Sequence, residues 1–155
     1  TKELALLEID RHSTAKYIAV LDADTVFVAY GAPELFFARQ PGGAIVPWQY
    51  GRASGGPFVR TVGVLGLAPW VAEFMDSFPQ VFHRGHFRAC REYIHRRLGG
   101  RSFREAFARL AAAVDEATDH AEFPSFHTVL GSYVYRHHQQ DYAWAIQYGW
   151  LAGVP

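Results

Sequence analysis

Cysteine is nearly absent: Cys90 stands alone in 155 residues. No internal disulfide framework is available, and a lone thiol in a helix-like stretch reads as a small buried hydrophobe. An excess of charge of either sign is absent too. Fifteen Lys and Arg balance fifteen Asp and Glu. The basic residues are spread along the chain, so there is no electrostatic case for a nucleic-acid partner. No run of about 18 apolar residues occurs, and no membrane span is expected. No signal peptide is visible. The chain opens at Thr1 rather than Met, directly in a helix-like pattern, which sets up the expectation of an N-terminal truncation and leaves localisation open. What is plentiful is apolar bulk. Half of the residues are hydrophobic, with twelve Phe, eight Tyr and four Trp, a composition that builds a core and argues against disorder. The length suits one domain.

Along the chain, strand-like and helix-like segments alternate, which indicates an α/β fold. Residues 2–11 have the apolar spacing of an amphipathic helix through Leu4, Leu7 and Ile9. Residues 17–22 read as a buried interior strand, and residues 59–67, "VRTVGVLGL", as a second one. The Gly- and Pro-rich stretch from Arg39 to Phe58 reads as loop, with one strand at 44–46. "APWVAEFMDSF" reads as a short helix with Pro69 near its start. Residues 87–100 form a helix stopped by Gly99. Ser102 and Glu105 set a capping box for the next helix. A last helix spans 125–137, followed by a strand over 141–148.

The stretch that carries chemistry is "AVLDADTV". Asp22 and Asp24 interrupt an apolar run, and a lone buried carboxylate is costly unless it is paired or binds a metal. The acids therefore belong where the strand leaves the core, at its carboxyl end, the edge at which open α/β sheets bind ligands. Side chains two apart on a strand share a face, so Asp22 and Asp24 can reach one hard cation, Mg²⁺ or Mn²⁺, which takes carboxylates together with substrate phosphates. The plain alternative is a pair of turn formers or salt-bridge partners.

Two enzyme classes use an apolar strand ending in D-x-D. In a haloacid-dehalogenase-like phosphatase, Asp22 would be the nucleophile and Asp24 the general acid/base. That class also needs a Lys or Arg for the phosphoenzyme and a late acidic motif at a strand end. Both lysines, Lys2 and Lys16, precede the aspartates, and the late acidic cluster, Asp115 to Asp119, continues a helical stretch with no strand before it. The second class is the nucleotide-sugar glycosyltransferases of the GT-A type. "KYIAVLDADTVFVAYGAPELFF" resembles their DXD stretch, within a little-characterised glycosyltransferase-like group. The resemblance continues through "TVGVLGLAPWVAEFMDSFPQVFHRGHFRACREYI" and "FPSFHTVLGSYVY". In the last segment Ser125, Gly131, Tyr133 and Val134 match. Phe126 and Thr128 stand where the group has glutamates, so no acid is carried over there.

The resemblance implies a single domain over residues 1–155, corresponding to the C-terminal two-thirds of a GT-A-like (Rossmann-like) α/β fold, with the nucleotide-binding part upstream. It implies transfer of a sugar from a nucleotide-diphosphate sugar to a hydroxyl acceptor, a glycan or a small molecule. Asp22 and Asp24 would hold Mn²⁺ or Mg²⁺ and the donor diphosphate. His127 would be a late metal ligand or a base, and Glu122 the carboxylate that activates the acceptor. A non-catalytic sugar- or partner-binding module is the third reading. Elsewhere, Trp48 and Tyr50 are candidates for stacking on a sugar or base within a mobile flap, and His83, Arg84 and His86 for anion contacts before a helix. His137 and His138 point about 100° apart on a helix and are not expected to share an ion.

Overall fold

The computed structural model describes residues 1–22, 33–53, 59–68, 72–74, 79–115 and 123–148. Within them the chain is a mixed α/β protein with two small sheets and five α-helices. Helix α1 (Lys2–Leu7) is followed by a short 3-10 turn at Ile9–His12, where one longer helix was expected. Strand β1 (Tyr17–Val20) pairs antiparallel with β4 (Gln80–His83), from Tyr17 opposite His83 to Val20 opposite Gln80. An interior strand was expected for 17–22; among the described residues β1 has the single partner β4.

The second sheet has the order β2-β3-β5. Strand β2 (Phe37–Arg39) runs antiparallel to β3 (Ile45–Ala53), and β5 (Ala143–Tyr148) runs parallel to it. The Gly- and Pro-rich stretch is thus largely a nine-residue strand rather than a loop. Pro47 is tolerated because pairing with β5 begins only at Trp48, so at Pro47 one side of β3 lacks a strand partner. Gln40 and Gly43 close the β2–β3 turn through backbone hydrogen bonds.

Residues 59–67 also correct the sequence reading. Val59–Leu65 is a helix, α2, whose buried residues Thr61, Val62 and Leu65 follow helical rather than alternating spacing. Its end is wrapped by the Leu67 N–H donating to the Val62 carbonyl, with Gly66 at φ 69° making the turn. The β-branched residues that suggested a strand are overruled by packing in the helical layer. Of the expected helix over 68–78, residues 68 and 72–74 are described; none is helical, and Glu73 forms a bridge to Arg52 of β3 instead.

Helix α3 (Arg84–Leu98) buries His86, Phe87, Cys90, Arg91 and Ile94 along one face. Its last turn carries His95, Arg96 and Arg97, which suit the helix dipole, and Gly99 at φ 68° ends it. Helix α4 (Phe103–Asp115) starts at the expected cap: the Glu105 N–H donates to Ser102 Oγ at 3.3 Å. The Glu105 carboxylate, however, accepts from the Arg101 N–H at 2.9 Å. Helix α5 (Phe126–His137) is buried continuously from Phe126 to Val134, the signature of a central helix.

The core gathers around three rings. Phe82 of β4, Phe87 of α3 and Phe126 of α5 lie with centroids 5.9 Å apart in each pair. Cys90 sits in this core as a small hydrophobe, and burial pushes its thiol up. Arg91 is buried because it bonds to the Asp10 carboxylate and the Leu7 carbonyl, tying α3 to the end of α1.

Candidate functional site

The β1–β4 ladder is the frame on which the polar side chains are arranged. At one end, where Val20 pairs with Gln80 at the start of β4, the chain leaves β1 through Leu21 into Asp22. Asp22 is partly exposed and accepts a 3.1 Å bond from Lys2 Nζ in the first turn of α1. Across from it, the first turn of α5 carries His127, which is buried and has Nδ1 3.0 Å from Gln80 Oε1. Burial pushes His127 down to about 4, while the Asp22 carboxylate acts in the opposite direction and Lys2 adds to the lowering. His127 is therefore neutral near pH 7. With the Gln80 amide oriented as found, Nδ1 carries the proton and donates to Oε1. The ring is then in its neutral Nδ1–H tautomer. Gln80 Nε2 is buried without a hydrogen-bond partner among the described residues. Glu3 of α1 completes this end, its carboxylate accepting from the Phe126 N–H at the start of α5.

Sequence reasoning named Asp22, Asp24, His127 and Glu122. Asp22 and His127 are within electrostatic reach of each other; Asp24 and Glu122 lie outside the described residues. Phe126 and Thr128, at the positions that are acidic in the resembled group, are fully buried. Trp48 and Tyr50 are neighbours on β3, ring centroids 6.2 Å apart, and Tyr50 OH donates to the Leu35 carbonyl. Beyond the start of β1 a cavity of about 640 Å³ opens among Tyr17, Pro33, Phe37, Arg39 and Ile45. Asp22 is not among its lining residues.

At the opposite end of the ladder, Tyr17 faces His83, and a second polar group assembles that the sequence did not announce. His86 Nε2 lies 3.3 Å and His138 Nδ1 3.4 Å from the same oxygen, Asp141 Oδ2. His86, Asp141, His83, Lys16 and Tyr17 border a groove of about 420 Å³. His83 itself caps α3, its Nδ1 accepting from the Gly85 N–H. The adjacent histidines 137 and 138 make different contacts: His137 packs on Tyr93 and Tyr133, and His138 stacks on His86.

The chain matches no family model, no curated protein and no solved structure.

Proposed function

We propose that the chain is a GT-A-like, metal-dependent glycosyltransferase domain. It would bind a nucleotide-diphosphate sugar at the carboxyl end of β1 and pass the sugar to a hydroxyl acceptor. The observation that supports this reading is the placement of Asp22 where β1 ends, with a neutral His127 across from it on α5. A carboxylate and an uncharged imidazole form a donor set suited to Mn²⁺, and the unsatisfied amide of Gln80 supplies a hydrogen-bond donor beside them. Asp22 and Asp24, with His127, would hold Mn²⁺ or Mg²⁺. A bound cation supplies charge neutralisation of the diphosphate leaving group. The chain's own residues then orient the donor, and His127 keeps its lone pair because burial prevents protonation.

Phosphate-ester hydrolysis through Asp22 has one observation in its favour: Lys2 Nζ reaches the Asp22 carboxylate although Lys2 precedes the aspartates in the chain. The two readings separate in one experiment on wild type, Asp22→Asn and Asp24→Asn. Melting temperatures are measured with and without Mn²⁺ plus UDP or GDP, and turnover of p-nitrophenyl phosphate is assayed in parallel. The glycosyltransferase reading expects a Mn²⁺- and nucleotide-dependent rise in wild type through binding linkage, much reduced in both variants, with no phosphatase turnover. Equal rises in all three proteins would overturn it.

A further inference from the structure

We propose a second metal site, for a Zn²⁺-type cation, formed by His86 Nε2, His138 Nδ1 and Asp141 Oδ2 at the Tyr17–His83 end of the ladder. It does not depend on the reading of Asp22. The three donors come from three elements: the first turn of α3, the residue that caps α5, and the 3-10 turn at Gln139–Asp141. All three donor atoms lie within 4.8 Å of one another. The two distances to Asp141 Oδ2, 3.3 and 3.4 Å, match the edge of a tetrahedron around zinc, about 3.3–3.6 Å for bonds of about 2.0–2.2 Å.

What lifts the group above a surface cluster is the support behind each imidazole. The other nitrogen of His86, Nδ1, is 2.6 Å from Tyr142 OH. That hydroxyl is buried and is itself fixed by the His83 N–H at 3.1 Å. The other nitrogen of His138, Nε2, faces Tyr133 OH at 3.4 Å. A hydrogen-bond partner on the far nitrogen sets tautomer and ring orientation in metal-ligating histidines. Without a metal, His86 Nε2–H and His138 Nδ1–H donate to Asp141. With a metal, His86 carries its proton on Nδ1, toward Tyr142, and His138 carries its own on the nitrogen away from the ion, so no net proton has to be lost. The two rings stack with centroids 4.0 Å apart and planes 24° from parallel. A shared ion therefore requires the His138 ring to turn. His138 is the more exposed of the two, 26% against 10% for His86, and sits at the helix end, whereas His86 is held from both sides. Two imidazoles and one carboxylate favour zinc and its neighbours over Mg²⁺, and three protein ligands leave a coordination position open. His86 and Asp141 line the 420 Å³ groove, so that position faces a space able to hold water or a small anionic ligand.

The test is calorimetric titration of the chain, freed of metal by a chelator, with Zn²⁺ alone, repeated with Co²⁺ as a visible-absorption probe. Wild type is expected to take up one Zn²⁺ per chain and to give the intense Co²⁺ bands of a four-coordinate site. Asp141→Asn and His138→Gln are expected to bind about a hundredfold more weakly or worse, and Tyr142→Phe about 10–100-fold more weakly through lost orientation of His86. His137→Gln, which changes the neighbouring histidine, is expected to bind as wild type. Asp141 and His138 are only partly buried, and circular dichroism confirms that their variants fold. Failure of wild type to bind, or equal binding by wild type, Asp141→Asn and His138→Gln, would overturn the site.

Discussion

The two ends of the β1–β4 ladder are built alike and speak differently. Each holds a buried histidine pushed down to about 4, chiefly by burial. Each sets that histidine near a carboxylate, Asp22 at one end and Asp141 at the other. The paired strand residues between them, Val20 to Tyr17 on β1, span only about 10 Å of strand. The supports differ. His127 is held by the amide of Gln80 and His86 by the hydroxyl of Tyr142. The donor sets differ as well: among the described residues, one carboxylate and one imidazole at the Asp22 end, and one carboxylate with two imidazoles at the Asp141 end. On the two proposals made above, one small frame would present a harder cation site at one end and a softer one at the other. The helix common to both is α5, which carries His127 in its first turn and His138 at its cap.

The comparison would break most visibly in activity. Under the proposed sugar transfer, Asp22→Asn is expected to slow the reaction about a hundredfold or more, because the lost charge removes metal and diphosphate neutralisation. Stability should scarcely change. Glu92→Gln, an exposed acid on α3, should leave the rate within about twofold. Transfer rates at saturating Mn²⁺ decide it; a loss below about threefold for Asp22→Asn would make that end structural.

Next in size is Gly131→Ala on the shared helix. A methyl there would sit 2.5 Å from Phe74 Cδ2 and 2.6 Å from Cγ, so ring or helix must move. Overpacking of this kind costs about 1–3 kcal/mol, readable in urea denaturation. If α5 is the common ruler, the thermal responses to Mn²⁺ with nucleotide and to Zn²⁺ should both weaken. A loss confined to one end would show that the ends are positioned separately.

The ends also differ in how far the sequence announced them. Asp22 was legible because strand character and acidity are local: an apolar run stopping at an acid needs no knowledge of the fold. The helices α3, α4 and α5 were legible for the same reason, through apolar spacing, the Ser102 cap and Gly99. The His86, His138 and Asp141 group was not, because its members are up to 55 residues apart and meet only through tertiary packing. Weighing His138 against its neighbour His137 asked the right chemical question of the wrong partner. The one local hint was density: "RHHQQDY" places His138 and Asp141 three residues apart, and Tyr142 next to them. Residues 59–65 misled because Val and Thr favour strands, while burial at 61, 62 and 65 obeys the helix they pack in.

Smaller is the expected pH effect, which both ends should share. His86 and His127 are depressed from 6.5 to about 4 in the folded chain. For His86, His138 and His83 reinforce burial and Asp141 opposes it; for His127, Lys2 reinforces burial and Asp22 opposes it. A histidine with a lowered folded value is protonated first in the unfolded chain. The stabilising preference is therefore fully present above about 6.5 and is lost as pH falls toward about 4. Each histidine contributes a slope of up to about 1.4 kcal/mol per pH unit in that window. Urea unfolding of chelator-treated protein between these values is expected to show the combined slope, to which the lowered His83 and His137 add, and His127→Gln should make it measurably shallower. An unchanged slope in His127→Gln would place the proton linkage at the other end alone.

The smallest effect is expected at Lys2, and it bears on which chemistry the Asp22 end performs. Lys2 Nζ lies 3.1 Å from Asp22, but its side chain is 69% exposed and that of Asp22 is 35% exposed. An ion pair so open to water gains little, about 0–1 kcal/mol, and is screened by salt. Lys2→Met keeps most of the aliphatic length and removes the charge. Its stability should therefore fall by less than about 1 kcal/mol, with the difference shrinking further at high salt. If the carboxylate is a metal ligand, the lysine competes with the cation for it. Lys2→Met should then bind Mn²⁺ with UDP or GDP as well as wild type or slightly better, by at most about threefold. If instead Asp22 is a nucleophile toward phosphate esters, Lys2 is the cation that neutralises the phosphoryl oxygens, and its loss should abolish p-nitrophenyl phosphate turnover. Metal affinity, phosphatase rate and melting temperature of this one variant, measured at low and high salt, distinguish the two. Tighter Mn²⁺ binding without any phosphatase activity keeps Asp22 as a ligand, and a turnover that disappears with Lys2 makes it a nucleophile.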